Sequence, residues 1–71
     1  NMDLLNELKK YRLDKSKEKN IPVYCILNNS TVESISESIP KSNAELLFIK
    51  GIGKKTIESY GDDITDITKK Y

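Results

Sequence analysis

The fold is decided by the stretch Ile49-Lys-Gly-Ile-Gly-Lys-Lys-Thr-Ile-Glu-Ser-Tyr-Gly61, in which two glycines flank one isoleucine between apolar periodic segments. Gly51 comes where a preceding helix should end, because glycine adopts the left-handed conformation without the penalty that a Cβ imposes. We expect Ile52 to enter the core and Gly53 to allow a close turn into a new helix that begins at about Lys54. The sequence therefore predicts a helix, a tight Gly-Ile-Gly turn and a second helix.

The same turn is a candidate phosphate site. Cations at the start of a helix face the N–H groups that lack partners within the helix, and phosphate is the common anion at such places. This order of signals is typical of a helix-hairpin-helix clamp on a DNA backbone. Gly-x-Gly also occurs at helix corners that bind nothing, so a phosphate site and a plain corner are both open alternatives. The candidate residues are Lys50, Gly51, Gly53, Lys54 and Lys55.

Length and composition indicate one small globular domain. The chain has 71 residues, of which 37% are hydrophobic and 32% charged, a balance typical of folded proteins rather than disordered ones. No apolar run approaches the length of a membrane span and no signal peptide is visible, so we expect no membrane partner. Because the sequence starts with Asn1, we expect residues 1–71 to be a module of a larger protein.

Residue usage argues against catalysis and metal binding. The chain has one cysteine and no histidine, which excludes an internal disulfide, a structural zinc site and any Cys–His or Ser–His nucleophile. We expect Cys25 to be a small buried side chain. The acidic group Asp62, Asp63 and Asp66 could suggest a metal, but helix capping and surface roles are favoured. We predict no catalytic residue, no cofactor and no metal.

Net charge says little about the partner, since 12 basic and 11 acidic residues give +1. The distribution is more informative, because the lysines form two local groups. A solvated helix face is the ordinary explanation of each group taken alone. The groups are Lys15, Lys17 and Lys19, and Lys50, Lys54 and Lys55.

The first half of the chain predicts one long helix and a short turn. Leu4, Leu8 and Tyr11 share one face of a helix over residues 3–19, which Asn20 ends in the left-handed conformation before Pro22. The apolar run at residues 23–27 has no partner strand elsewhere, so a helical turn is favoured over a strand.

The second half predicts four more helices. Ser30-x-x-Glu33 and Ser42-x-x-Glu45 are capping boxes, and Pro40 closes the helix that follows the first of them. The helix after the second box should bury Leu46, Leu47 and Ile49. After the glycine turn, a helix over residues 54–60 should end at Gly61, and Asp62 or Asp63 should cap the last one. The predicted fold class is all-α, a compact bundle of about five short helices plus one helical turn.

The order of these signals resembles the HRDC (helicase and RNase D C-terminal) family from residue 4 to residue 67. That family reads approximately as Leu-Arg-x-x-Arg, a Val-Pro-Pro-Tyr-like segment, an apolar turn, a Ser-Asp-x-Thr-Leu cap, an acidic-capped helix, and Gly-Val-Gly ahead of Tyr-Gly. The departures from the family pattern, Asn20 for glycine, Val23 for proline and Asn29 for aspartate as helix cap, keep the same backbone roles. The matching positions are Leu8 and Arg12, Ile21-Pro22-Val23-Tyr24, Cys25-Ile26-Leu27, Asn28-Asn29-Ser30-Thr31-Val32, Pro40, Ser42 and Glu45, Leu46-Leu47, Ile49, Gly51-Ile52-Gly53 and Tyr60-Gly61.

The resemblance implies an accessory nucleic-acid-binding or interaction domain of RecQ-type helicases or RNase D-type nucleases. Catalysis would lie elsewhere in the parent, which we expect to be an ATP-dependent DNA helicase in the cytoplasm of a bacterium or in a nucleus. The expected partner is DNA, single-stranded or branched, with RNA left open, and the domain is expected to be a monomer in isolation. The alternative is a regulatory module that docks on its parent helicase or nuclease core without binding DNA.

If the domain binds nucleic acid, Tyr24 is the candidate for stacking on a base, because it follows Pro22 beside the lysine-rich end of the first helix. A half-buried core ring is the alternative for Tyr24. We expect Tyr60 to be a core residue and Arg12 to be a buried structural residue. The predicted nucleic-acid-binding residues are Lys15, Lys17, Lys19, Tyr24, Lys50, Gly51, Gly53, Lys54 and Lys55.

Overall fold

Helices joined by tight turns account for the whole fold, as seen in a computed structural model that describes residues 1–71. No strand is present, so the predicted all-α class is confirmed. The segments are α1 (Met2–Lys19), a 3-10 turn (Val23–Cys25), α2 (Asn29–Ser38), α3 (Asn43–Leu46), α4 (Lys54–Thr56), a π turn (Ile57–Gly61) and α5 (Asp62–Thr68).

One apolar cluster of 11 residues forms the core, and every helical region except the 3-10 turn and the single turn of α4 contributes to it. α1 lies across α2 and α5. The turn residue Ile52 is buried as predicted. The cluster consists of Leu4, Leu8, Ile26, Leu27, Val32, Ile35, Leu46, Ile49, Ile52, Tyr60 and Ile64.

The end of α1 follows the prediction. Asn20 adopts the left-handed conformation (φ 57°, ψ 45°) and Pro22 is extended, so the chain turns into the 3-10 segment. The expectation for Cys25 is wrong, because this side chain is exposed. The 3-10 turn buries none of its three residues, and only Ile26 and Leu27 after it enter the core.

The first predicted capping box is wrong by two residues. Asn28 is the cap of α2, accepting a 2.8 Å hydrogen bond from the Thr31 N–H, so neither Ser30 nor Asn29 has that role. Asparagine caps a helix as well as serine does, and this start brings Thr31 and Val32 to the buried face.

The second box is half formed. The Ser42 hydroxyl accepts from the Glu45 N–H at 3.2 Å, while the Glu45 carboxylate accepts from the Lys41 N–H at 3.0 Å. The cap itself is confirmed, and the carboxylate reaches one residue further back than the box requires. α2 ends at Ser38 before Ile39 and Pro40, as predicted, with Ile39 in the left-handed conformation (φ 47°).

The predicted break at Gly61 is wrong. Gly61 has helical angles (φ −56°, ψ −48°), so α4, the π turn and α5 form one continuous helix over residues 54–68, and neither Asp62 nor Asp63 caps a new one. Glycine is needed here for space, since a Cβ would come 2.7 Å from the Asn43 Oδ1 atom. If the helix ended at Gly61, Tyr60 and Ile64 would no longer share one buried side of it.

Polar contacts fix the C-terminal end of α5 and the residues that follow it. The buried Thr68 hydroxyl donates to the Pro40 carbonyl at 2.6 Å, which holds α5 to the loop after α2. Beyond the helix, Lys70 and Tyr71 donate to the Glu7 carboxylate of α1 at 2.6 and 2.8 Å. The hydrogen bond from Lys70, with that from Tyr71, lowers the pKa of Glu7.

The two glycines of the turn have different structural roles. Gly51 has φ +95° and its missing Cβ would overlap the Thr31 hydroxyl, so glycine is required both for conformation and for space. Gly53 is extended (φ −119°, ψ 180°), and a Cβ there would meet no atom within 4 Å. The prediction that Gly53 is needed for a close turn is therefore wrong, because the fold makes no demand for glycine at this position.

We predict that Gly51→Ala lowers the free energy of unfolding by more than about 1 kcal/mol, because the left-handed backbone and the contact with Thr31 both oppose a side chain. Gly53→Ala is the matched control, and we expect it to change stability by no more than about 0.5 kcal/mol. Urea denaturation followed by circular dichroism measures both. Equal losses in the two variants would contradict this account of the turn.

Candidate nucleic-acid interface

The Gly-Ile-Gly turn presents three lysines to solvent. Its backbone is closed by a hydrogen bond from the Ile52 N–H to the Ile49 carbonyl at 3.1 Å, which lets Ile52 point inward. Lys50, Lys54 and Lys55 are exposed, and none of them lies within ion-pair distance of a carboxylate. The turn therefore carries three positive charges that the fold itself does not use.

The start of α2 supports this turn from behind. The buried Thr31 hydroxyl donates to the Lys50 carbonyl at 3.1 Å, and the Asn28 amide lies next to Gly51. Asn28 and Thr31 directly follow the apolar segment that begins with the 3-10 turn. The Tyr24 segment and the lysine turn, predicted separately from the sequence, are thus joined through the first turn of α2.

Tyr24 is a surface residue. Its side chain lies in the 3-10 turn, which packs against α1, and 69% of the residue is exposed. The alternative of a half-buried core ring is therefore excluded. An exposed ring of this kind has a free face on which a base can stack.

The lysines of α1 divide into two kinds. Lys15 lies 3.5 Å from Glu18 and 4.0 Å from Asp63, and the Lys19 ammonium lies 4.8 Å from the centre of the Tyr60 ring. A solvated helix face therefore does not describe these two, because Lys15 and Lys19 follow Leu8 at helical spacings and contact groups of other elements. Lys17 is exposed and has no ion pair.

A polar and aromatic cluster joins the middle of α1 to α5. The Tyr11 hydroxyl donates to Asp63 Oδ2 at 2.7 Å, and the Tyr11 and Tyr60 rings meet edge to face at 6.5 Å. Burial, together with the Asp63 carboxylate, raises the pKa of Tyr11. Asp63 therefore connects two helices rather than capping one.

The predicted core role of Tyr60 is confirmed, whereas Arg12, expected to be buried, is half-buried and has only the structural contact. Tyr60 is buried, and the Arg12 guanidinium donates to the Leu27 carbonyl at 3.0 Å. This bond holds the segment that follows the 3-10 turn against α1. Arg12 is thus engaged with the backbone of its own chain.

Sequence reasoning missed an exposed apolar site next to the lysine turn. Leu47, expected in the core, is 52% exposed, and Phe48 is 89% exposed. α3 ends after one turn at Leu46, so helical spacing no longer applies to the residues that follow it. Leu47 borders a cleft of about 440 Å³, whose other lining residues are Asn43, Ala44, Lys54, Ile57 and Glu58.

Comparison with known proteins identifies the fold. The family model of the HRDC domain matches residues 1–68, nearly the whole chain. The chain belongs to the HRDC family. No group of histidine, cysteine or acidic residues in this HRDC domain could hold a metal ion, and none of its helices has the length and apolar character of a membrane span.

Similar stretches of sequence occur in much longer DNA helicases. The HRDC domain is 37% identical over 67 residues to the ATP-dependent DNA helicase UvrD2 of Mycobacterium tuberculosis, covering 94% of this chain and 10% of that protein. It is 38% identical over 65 residues to the ATP-dependent DNA helicase Q-like 4B of Arabidopsis thaliana, covering 89% and 6%. The chain thus spans about a tenth or less of these curated relatives.

A solved structure has the same architecture. HRDC domain 3 of D. radiodurans RecQ superimposes with a TM-score of 0.92 at 32% identity, covering 97% of this chain and 91% of that one. The resemblance inferred from the sequence is therefore confirmed, and this HRDC domain is of the kind that RecQ-type helicases carry.

We predict that Tyr11→Phe reduces the loss of stability at alkaline pH. A tyrosine whose pKa is raised by folding contributes stability below its ordinary value of about 10, and loses it as the pH rises further. Removing the hydroxyl removes this pH dependence, and it also costs about 1 kcal/mol at neutral pH for the lost hydrogen bond. Urea denaturation at neutral pH and above pH ~10 measures both effects. An identical alkaline loss in the variant would show that Tyr11 ionises freely in the folded protein.

Proposed function

We propose that this HRDC domain is an accessory nucleic-acid-binding domain of an ATP-dependent DNA helicase, and that it holds single-stranded or branched DNA. The proposal rests on one observation: the segment of the exposed Tyr24 leads into α2, and a turn with three unpaired lysines is hydrogen-bonded to the first turn of the same helix. Cations for phosphates and an aromatic face for a base are what binding without sequence readout requires.

In this proposal the lysine turn holds the phosphates. Lys54 and Lys55 stand at the beginning of the continuous helix over residues 54–68, whose first N–H groups carry partial positive charge. Gly53 leaves the backbone of the turn open to a phosphate, because nothing lies within 4 Å of the position that its Cβ would occupy. A glycine that the fold does not require would here let a phosphate approach the backbone.

Tyr24 would supply the stacking contact, and Lys17 is the lysine of α1 best placed to add a charge. Lys15 and Lys19 are engaged with Asp63 and Tyr60, so we assign them a weaker contribution to binding. ATP hydrolysis would lie in another part of the parent protein. The compartment proposed is that of its DNA, a bacterial cytoplasm or a nucleus.

The balanced charge of the chain, +1 in total, favours a second candidate. A nearly neutral module could instead dock on its parent helicase core and regulate it. Salt dependence separates the two, because each phosphate neutralised on a single strand changes the slope of log K against log salt by about −0.7. Docking alone predicts no binding to DNA, and a changed parent ATPase rate when the domain is deleted.

We predict that replacing Lys54 and Lys55 together by Glu weakens binding of a labelled single strand at least about tenfold, and flattens the salt slope by about 1.4. The matched control replaces Lys9 and Lys10 by Glu, an equal charge reversal at two exposed positions of α1 near Glu7. Fluorescence anisotropy at about 50 and about 200 mM salt measures both variants. Equal losses of affinity in the two double variants would mean that only overall charge matters. Unchanged affinity in the Lys54 and Lys55 variant would mean that the turn is a helix corner that binds no phosphate.

We predict that Tyr24→Ala weakens single-strand binding by a similar factor at both salt concentrations, because a stacked base contributes about 1–3 kcal/mol that salt screens little. Tyr24→Phe keeps the ring and should bind like the wild type. Lys17→Ala should instead flatten the salt slope by about 0.7. If Phe at this position behaves like Ala, stacking is not the mechanism.

A further inference from the structure

Phe48 is the only phenylalanine of the chain, and it contributes nothing to the core. Its exposed fraction, 89%, exceeds that of Tyr24. The backbone around it is nevertheless ordered, since the Phe48 and Ile49 N–H groups donate to Glu45 and Leu46 carbonyls at 3.1 and 3.0 Å. A large apolar ring is thus held at the surface by a defined turn.

The surroundings of Phe48 are cationic on the side of the lysine turn. Lys50 follows two residues later, and the neighbouring Leu47 borders the same cleft as Lys54. Two carboxylates are also close in the chain or in the cleft. Glu45 is engaged with the Lys41 N–H, and Glu58 lies one helical turn after Lys54.

The position of the ring distinguishes between two kinds of partner. Phe48 is not among the residues that line the cleft, so it projects from the surface rather than forming the wall of a groove. A groove wall would suit an apolar side chain of a protein, whereas a free ring beside cations suits a planar base whose phosphates are held alongside. The charge and the shape therefore both favour a nucleic acid strand.

We propose that Phe48, which precedes the lysine turn by two residues, is a second stacking platform for the bound strand in addition to Tyr24. This inference rests on the proposed nucleic-acid binding and extends it. The strand would place phosphates on Lys50, Lys54 and Lys55 and stack one base on Tyr24 and another on Phe48. Such a strand is fixed at two separate bases rather than at one.

Three variants of the 71-residue chain test the proposal, with a labelled oligothymidine as the probe. Phe48→Ala should weaken binding about 5- to 150-fold, the range for one stacked base, by a similar factor at low and moderate salt. Phe48→Leu is the matched control, since it keeps an apolar side chain without a ring, and it should weaken binding almost as much. Phe48→Trp should bind at least as well as the wild type. Because the side chain is exposed, circular dichroism should show all three folded.

Three results would overturn the proposal. If Phe48→Leu binds like the wild type, the contact is apolar rather than stacked, as for a protein partner. If Phe48→Ala binds like the wild type while the Lys54 and Lys55 double variant does not, nucleic-acid binding stands and the platform alone is wrong. A wild-type domain that does not bind the oligothymidine at low salt would refute both. Tyr24→Ala combined with Phe48→Ala should weaken binding by the product of the two single factors, as expected for two bases stacked separately.

Discussion

The hydrogen bond from the Thr31 hydroxyl to the Lys50 carbonyl fixes the Gly-Ile-Gly turn against α2. It can form only because Gly51 has no side chain, since a Cβ would occupy the place of that hydroxyl. With the turn held there, Ile52 reaches the core and the lysines on either side of it remain outside. The same contact joins the turn to the segment that carries Tyr24. One backbone position with a positive φ therefore determines both how the second half of the chain packs and where its charges lie.

The charged residues of this domain serve two separate purposes. Arg12, Lys15, Lys19 and Lys70 contact groups of their own chain, a carbonyl, carboxylates or an aromatic ring, and so hold α1 to the rest. The lysines of the turn have no such partner. A net charge of +1 conceals this division, because the sum does not distinguish the cations that have partners within the fold from those that have none. Whether a near-neutral domain can bind an anion depends on which cations the fold leaves unpaired.

Much of the fold could be predicted from the sequence, because its signals are local. Asn20 before Pro22, the cap at Ser42 and the glycine at position 51 each act through backbone conformations that only a few residue types favour. The errors arose where tertiary contacts decide. Gly61 was expected to end a helix, but it gives space to Asn43 within a continuing one. Leu47 and Phe48 follow a helix that is too short to maintain a periodic pattern. Their exposure depends on where α3 ends, which the apolar pattern alone does not indicate.

The π turn at Ile57–Gly61 places one extra residue within the last helix. A π turn accommodates one more residue than an α-helical turn, and each residue of an α-helix advances the side chains by about 100°. The sequence spacing between Lys54 and Lys55 and the buried face of Ile64 is thus one residue longer than a regular α-helix would need. Deleting a single residue within the π turn would restore α-helical hydrogen bonding and leave the cationic end and the buried face of α5 in the same relative orientation. Among related domains, a one-residue length change at this point is therefore tolerated without moving the charged surface or the core.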